Sequence, residues 1–319
     1  VVFVVIVGFF YVKASNFTPF IPPSQPTAAT TGDGAVSAQM AQPLWQWATG
    51  MTPSIYGVPG ILSGAALVFF AFLGFDVVAT ASEETKNPHK NVPLGIGVGM
   101  LLIIVMYMLV AIVTTGMVSY KDLAKQDSPS LATAFELVGA DWAAKIISFG
   151  IVLGLATVIM VLLLGLTRIV FAMSRDGLLP RGLSKTGKHG TPAVLQIVVG
   201  VVVALVAALF DIGVLSDMVN IGTLSAFILV AISIPIMRKK RPELPRAFRM
   251  PGNPWVPILI ALANFWLMLN LSVLTWIRFL VWLVIGFAIY FSYGYWHARL
   301  GKGDLSETLS DETDRAVNG

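Results

Sequence analysis

Seven long apolar runs constrain this chain more than any other feature of its sequence. Each run contains 20 residues or more, and a helix of about 20 apolar residues crosses the hydrocarbon core of a bilayer. Backbone groups in lipid must satisfy their own hydrogen bonds, so each run is predicted to be a helix, even where Val and Ile would favour a strand in water. The runs cover residues 60–82, 93–118, 143–173, 191–210, 218–237, 255–274 and 276–295.

The composition excludes an ordinary water-soluble globular protein. Only 12% of the 319 residues are charged and 56% are hydrophobic, whereas a soluble domain contains about 25% charged residues. So few charges cannot cover a surface that faces water. The predicted fold class is therefore all-α, a polytopic membrane protein.

Several classes of function are excluded by what the sequence lacks. The chain contains no cysteine, which excludes disulfides, thiolate metal sites and cysteine nucleophiles. Its three histidines, His89, His189 and His297, lie in separate polar segments without the spacing of metal ligands. No hydrolase, zinc-protease or nucleotide-binding motif occurs in a suitable context. We therefore predict that the protein is not an enzyme and uses no cofactor and no metal.

The basic residues indicate how the chain is oriented in the membrane. Sixteen of the 21 Lys and Arg residues lie in or beside alternate connections and the carboxyl-terminal tail. The other five are Lys13, Lys121, Lys125, Lys145 and Arg278. Because cytoplasmic loops are enriched in Lys and Arg, this split predicts a cytoplasmic carboxyl terminus. The net charge of +4 is assigned to orientation, and no nucleic-acid partner is predicted.

These patterns predict four parts along the chain. Residues 1–12 are interpreted as the end of a truncated span, because they are too short to cross a bilayer and have no basic lead. A short re-entrant segment is the alternative for them. Residues 13–59 are predicted to be an extracellular loop, residues 60–298 to contain seven transmembrane helices with short loops, and residues 299–319 to be a cytoplasmic tail.

Asp76 is the one acidic residue deep inside these apolar runs. Charged side chains within a bilayer are costly and are usually functional. Asp76 is either an interfacial carboxylate or a residue that faces a wet cavity, and we favour the cavity. Gly74 precedes it by two residues and weakens the helix locally. Transporters with broken helices use such points to expose backbone groups to substrate, although a membrane glycine can also serve helix packing.

Three stretches of the sequence carry more specific motifs. They are GAALVFFAFLGFDVVATASEETKNPHKNVPLGI, TRIVFAMSRDGLLPRGLSK and PELPRAFRMPGNPWVP. Together they resemble the amino acid–polyamine–organocation superfamily, in particular its bacterial cationic amino acid transporter branch. The resemblance extends from Val1 to about Arg299. It implies a proton-coupled permease with the LeuT-type inverted-repeat transporter fold, of which this chain lacks most of the first repeat.

The resemblance also implies a substrate site at an unwound point of the helix equivalent to the sixth of the family. Phe70 would be an aromatic lid over the substrate, and Asp76 would face the cavity. Met160 would close the side-chain pocket, where a bulky apolar side chain favours small neutral amino acids over arginine. Plain helix packing is the alternative for Met160. The substrate-binding residues assigned in this way are Phe70, Ala71, Leu73, Gly74, Asp76 and Met160.

The function predicted from these observations is secondary active transport of amino acids in the cell membrane. Small neutral amino acids would move with protons by alternating access, and membrane lipids would be the other partners. Sodium-coupled symport is the alternative within this class. An ion channel or pore subunit, and a non-transporting structural protein derived from a permease, are the alternatives from other classes. Without the first repeat, the chain alone is not expected to transport.

Overall fold

The computed structural model describes residues 1–25, 39–51, 56–75, 78, 85–126, 129–184, 193–243 and 252–298. These residues form helices joined by turns, with one isolated β-bridge and no strand among them. The α-helices are α1 (Val2–Phe9), α2 (Leu44–Thr49), α3 (Gly57–Val68), α4 (Pro88–Met117), α5 (Tyr120–Leu123), α6 (Leu131–Leu137), α7 (Asp141–Arg175), α8 (Ala193–Leu209), α9 (Ile212–Lys240), α10 (Trp255–Leu269), α11 (Val273–Ile289) and α12 (Tyr295–His297).

Each of the seven predicted apolar runs coincides, in whole or in part, with one of the longer helices. Four helical segments are long and apolar enough to cross a membrane by length and composition, namely Lys90–Met117, Asp141–Arg175, Ile212–Lys240 and Val273–His297. Three apolar helices are shorter, namely Gly57–Phe72, Ala193–Leu209 and Trp255–Leu269. The prediction of an all-α polytopic membrane protein is confirmed.

The first apolar run, residues 60–82, is not one continuous α-helix. Its helix begins at Gly57 and ends at Val68, and a single 3₁₀ turn follows over Phe69–Phe72. Helix α9 extends beyond the apolar run 218–237, because it begins six residues earlier, at Ile212. The polar residues in this added part of α9 are compatible with a helix because their side chains find partners, as the contacts of Asp217 show below.

Two clusters of buried residues hold the helices together. The first joins α1, α4, α6 and α7 around Phe135. Gly8 of α1 packs directly against the side chains of this cluster. A Cβ atom at Gly8 would run into the side chains of Val113 and Met117, so this contact requires glycine. The second cluster joins α3, α9 and α10, and consists of Ala66, Ile221, Leu224, Met268 and Leu271.

Helix α9 is the central element of the second cluster. Its main neighbours are α10 and α11, and it also packs against α3 and the 3₁₀ turn. In its most apolar stretch 22% of the residues are buried inside the chain, against 6% in α4 and in α7. The apolar faces of α4 and α7 thus remain available to lipid or to other protein, whereas one face of α9 is buried within the chain.

Candidate functional site

The backbone leaves the helical conformation where α3 ends. Beyond the 3₁₀ turn, Leu73 is extended, with φ −62° and ψ 142°. Gly74 follows with φ +116°, a conformation that is strained for any residue with a Cβ atom. The glycine therefore permits the chain to turn away from the helix axis. Residues 69–74 are called the break below. Because a helix end leaves carbonyl groups without intrahelical partners, the break needs donors from elsewhere.

Tyr107 of α4 supplies one of these donors. Its hydroxyl donates a hydrogen bond of 2.8 Å to the carbonyl oxygen of Ala71. Its ring also meets that of Phe72 edge to face, with ring centroids 5.0 Å apart. One side chain thus fixes both the backbone and an aromatic ring of the 3₁₀ turn.

Asn220 of α9 donates to the end of α3, just before the break. Its Nδ2 lies 3.1 Å from the carbonyl oxygen of Ala66 and 3.4 Å from that of Leu67, in the last turn of α3. Asn220 and Ala66 are both fully buried. The short side chain of Ala66 lets α9 approach the backbone of α3 closely enough for this amide to reach it.

Aromatic rings extend the contact between α9 and the break. The ring of Phe227 meets that of Phe69 edge to face at 6.1 Å, and lies 5.4 Å from the ring of Phe75 in a tilted arrangement. Phe227 therefore contacts the first residue of the break and the residue that follows the break. A contact between two aromatic rings stabilises a structure by about 0.5–1.5 kcal/mol more than the burial of the ring surfaces alone.

The structure brings four of the six predicted site residues together. Phe70, Ala71, Leu73 and Gly74 all lie in the break. The side chain of Phe70 is 42% exposed, which leaves the ring free to contact another group. No part of the described chain lies within 4 Å of the position of a Cβ atom at Gly74. The backbone irregularity that the resemblance implied is present, while contact of these residues with a substrate stays a prediction.

The two remaining site residues stand apart from this group. Asp76 lies outside the described residues. Met160 lies on α7 and is 63% exposed. The main packing neighbours of α7 are α6, α8 and the 3₁₀ turn Arg181–Ser184, so the described contacts do not bring Met160 to the break. Its role as a pocket residue also stays a prediction.

Sequence reasoning missed Asp217, an acidic residue that lies within the long helix α9. Asp217 lies in the second turn of α9, and its Oδ2 accepts a hydrogen bond of 3.0 Å from Thr275 of α11. Thr275 is fully buried and also lies 2.7 Å from the hydroxyl of Ser272. The apolar-run prediction began at Met218 and so excluded Asp217. A signal was available, because Asp217 and Asn220 are three residues apart and share one helix face.

The segment before α3 is attached to the turn between α10 and α11. The backbone N–H of Leu44 donates to the carbonyl of Leu271 at 3.0 Å, and that of Val273 donates to the carbonyl of Gln42 at 3.1 Å. The indole Nε1 of Trp45 donates to Oδ1 of Asn270 at 2.9 Å. Helix α2 and the residues just before it are thus tied to the turn between α10 and α11.

Within the described part of the chain, no group of three or more His, Asp or Glu residues could hold a metal ion. The polar groups at the break are backbone carbonyls, a phenol and an amide. Their chemistry suits hydrogen bonding to a small polar solute.

Comparison of the sequence with known protein families identifies the family of this chain. The sequence profile of the family described as "Amino acid permease" matches residues 1–295. The chain belongs to the amino acid permease family. Its members are permeases, so the predictions of a multi-pass membrane protein that is not an enzyme are confirmed, as is the resemblance to the amino acid–polyamine–organocation superfamily.

Several curated proteins are similar to the chain over most of its length. The branched-chain amino acid permease BcaP of Bacillus subtilis is 47% identical over 247 residues, which cover 77% of this chain and 53% of the relative. The methylthioribose transporter of Bacillus subtilis is 39% identical over 299 residues, or 93% of this chain and 57% of the relative. Cationic amino acid transporter 3, mitochondrial, of Arabidopsis thaliana is 44% identical over 60% of this chain and 31% of its own length. The chain therefore spans about half the length of the first two relatives, and less of the third.

Proposed function

We propose that this chain forms part of a secondary active amino acid transporter of the cell membrane, and that the substrate binds at the break. The observation that carries the proposal is the departure from helical backbone at residues 69–74, directly after α3, in a member of the amino acid permease family. Interrupted helices provide substrate sites in transporters because their backbone groups are not consumed by the helix.

The chemistry of the break fits the ammonium group of an amino acid. Carbonyl oxygens carry partial negative charges, so they can accept from an ammonium without the cost of burying a second full charge. Ala71 uses its carbonyl to accept from Tyr107. A carbonyl oxygen has two lone pairs, so this one can accept a second hydrogen bond. Phe70, which is partly exposed beside it, would cover the bound solute.

The substrate class that we propose is a small neutral amino acid. A bulky Met160 facing the pocket would leave little room for the side chain of arginine. The relative named as a branched-chain amino acid permease supports a neutral substrate, while the relatives named as cationic amino acid transporters and as a methylthioribose transporter define the competing candidates.

We further propose that protons drive uptake, with Asp76 facing the cavity as an acid. The bound solute would change which face of the membrane its pocket opens to, and a proton moving down its gradient would bias that cycle. The distribution of Lys and Arg predicts a cytoplasmic carboxyl terminus, and this orientation defines which side of the membrane is outside in an uptake measurement.

Uptake in proteoliposomes tests the proposal directly. The protein would be expressed from its complete gene, and labelled alanine, valine, arginine and methylthioribose would each be offered with an imposed pH gradient or sodium gradient. We expect saturable alanine uptake driven by the pH gradient alone. Preferred uptake of arginine or methylthioribose would refute the proposed pocket, and uptake that requires sodium would refute proton coupling. Conductance in planar bilayers without saturable uptake would indicate a channel instead.

A further inference from the structure

We infer that Asn220 is a positioning residue, which holds the end of α3 in the geometry that the break needs to bind a solute. The inference rests on the proposed function for its consequence in transport, but its structural part can be tested separately. Neither the motifs in the sequence nor the predicted site residues pointed to α9, so the assignment comes from the packing of the chain.

The hydrogen bonds of Asn220 lie at the carboxyl end of α3, where backbone carbonyl groups have fewer donors within the helix. The last carbonyl groups of a helix have no intrahelical donors, and a side chain from another element can replace them. A side-chain amide nitrogen has two protons, and Nδ2 of Asn220 faces two consecutive carbonyls, those of Ala66 and Leu67. The carboxyl end of α3 is therefore fixed by a residue more than 150 positions further along the chain, since Ala66 and Asn220 are 154 residues apart.

The two sides of the Asn220 amide differ in their hydrogen bonding. Its Oδ1 is buried and has no hydrogen-bond partner within the described part of the chain. A buried acceptor without a partner is destabilising, so the favourable hydrogen bonds of Asn220 are those that its Nδ2 donates to Ala66 and Leu67. The neighbouring buried residues of α9, Ile221 and Leu224, are apolar. The donor side of Asn220 is thus the feature that distinguishes it from its surroundings.

The face of α9 that carries Asn220 is fixed at three levels. Asp217, three residues earlier, is bonded to Thr275 of α11. Phe227, seven residues after Asn220, contacts the rings of Phe69 and Phe75. Residues three and seven positions apart lie on one face of a helix. A movement of α9 would therefore act on the last turn of α3 through Asn220 and on the rings of Phe69 and Phe75 through Phe227.

The test combines a reporter of the break with transport. These 319 residues contain no cysteine, so Leu73→Cys would place their only thiol in the break; the parent protein would have any cysteine outside these residues replaced by serine. The rate of maleimide labelling would be measured in the parent background and with Asn220→Leu or Asn220→Asp. Asparagine, leucine and aspartate are close in size, but only asparagine can donate two hydrogen bonds. The matched control is Asn264→Leu, because Nδ2 of Asn264 donates to Ile260 of its own helix at 2.7 Å and not to another element.

We expect Asn220→Leu to raise the labelling rate at Leu73→Cys by about fivefold or more, because the break opens locally more often. In the absence of the reporter, the same variant should raise the KM for alanine uptake by about tenfold. Asn264→Leu should change the labelling rate and the KM by less than about twofold.

Different results would overturn the two claims separately. An unchanged labelling rate in both Asn220 variants would refute the positioning role, whatever the transport data show. A changed labelling rate in a protein that transports none of the tested solutes would refute the proposed function and leave the positioning role intact. Should Asn220→Leu fail to fold, Asn220→Asp decides the matter, since it keeps the shape and the acceptor and removes the donors when ionised. A labelling rate and a KM within about twofold of the parent in that variant would refute the inference.

Discussion

The hydroxyl of Thr275 donates a 3.0 Å hydrogen bond to the carboxylate of Asp217, and so joins the first turn of α11 to the second turn of α9. Thr275 is fully buried, and Ser272 lies 2.7 Å from the same hydroxyl and accepts the backbone N–H of Thr275 at 3.2 Å. The bond lies one helical turn before Asn220. It therefore fixes the part of α9 that reaches the break.

Removing this hydroxyl should destabilise the protein. Thr275→Val keeps the shape of the side chain but leaves the carboxylate of Asp217 without that donor, at a cost of about 1–3 kcal/mol. We expect a lower thermal midpoint in detergent. The control is Thr157→Val on α7, whose hydroxyl donates to Gly154 of its own helix at 2.7 Å and is exposed. If Thr157→Val lowers the midpoint as much as Thr275→Val, the hydrogen bond between α9 and α11 contributes no more to stability than an exposed hydrogen bond within one helix.

The two glycines of the broken segment should respond differently to alanine. Gly74 has φ +116°, so Gly74→Ala forces a Cβ atom into a strained conformation that costs about 1 kcal/mol or more. Gly64 lies within α3, where alanine is favoured over glycine by about 1 kcal/mol. Both positions have open space for the new Cβ atom within the described chain.

We therefore expect Gly74→Ala to lower both the thermal midpoint and the maximal rate of alanine uptake, while Gly64→Ala preserves or raises the midpoint. Since open space is common to the two sites, the backbone angle is the variable that the comparison isolates. Equal behaviour of the two variants would mean that the conformation of residue 74 does not matter for transport.

Tyr107 should contribute to binding through its hydroxyl more than through its ring. Tyr107→Phe removes the 2.8 Å hydrogen bond to the carbonyl of Ala71 and keeps the ring beside Phe72. Loss of one such bond is worth about 1 kcal/mol, which corresponds to a KM for alanine raised about fivefold. Tyr295→Phe, at an exposed position on α12, should leave the KM unchanged. A KM that shifts equally in both variants would contradict the assignment.

The attachment of α2 to the α10–α11 turn can be tested with two tryptophans of the same helix. The indole of Trp45 donates to the buried side chain of Asn270, whereas Trp47 is 55% exposed. Trp45→Phe should lower the thermal midpoint, because the buried acceptor loses its donor at a cost of about 1–3 kcal/mol. Trp47→Phe should have an effect within about 0.5 kcal/mol. Matching losses in the two variants would indicate that only aromatic area matters at this surface.

The sequence by itself determined the class of the protein and the positions of its helices. Length and hydropathy are local properties, and in lipid they leave the helix as the sole way for an isolated segment to satisfy its backbone. Each apolar run therefore contained a helix. The break at Phe70, Ala71, Leu73 and Gly74 could also be predicted from the sequence. The motif that forms it is contiguous and includes the glycine that its backbone requires.

Only the tertiary structure decided which side chains support the break. Ala71 and Tyr107 are 36 residues apart, Asp217 and Thr275 are 58 apart, and Ala66 and Asn220 are 154 apart. Hydropathy records how apolar a segment is, but not which helix it meets or at what angle. A polar residue such as Asn220 reads from the sequence as a mild interruption of an apolar run. Whether it becomes a partner for a broken helix depends on packing that brings its amide within reach of two carbonyl oxygens.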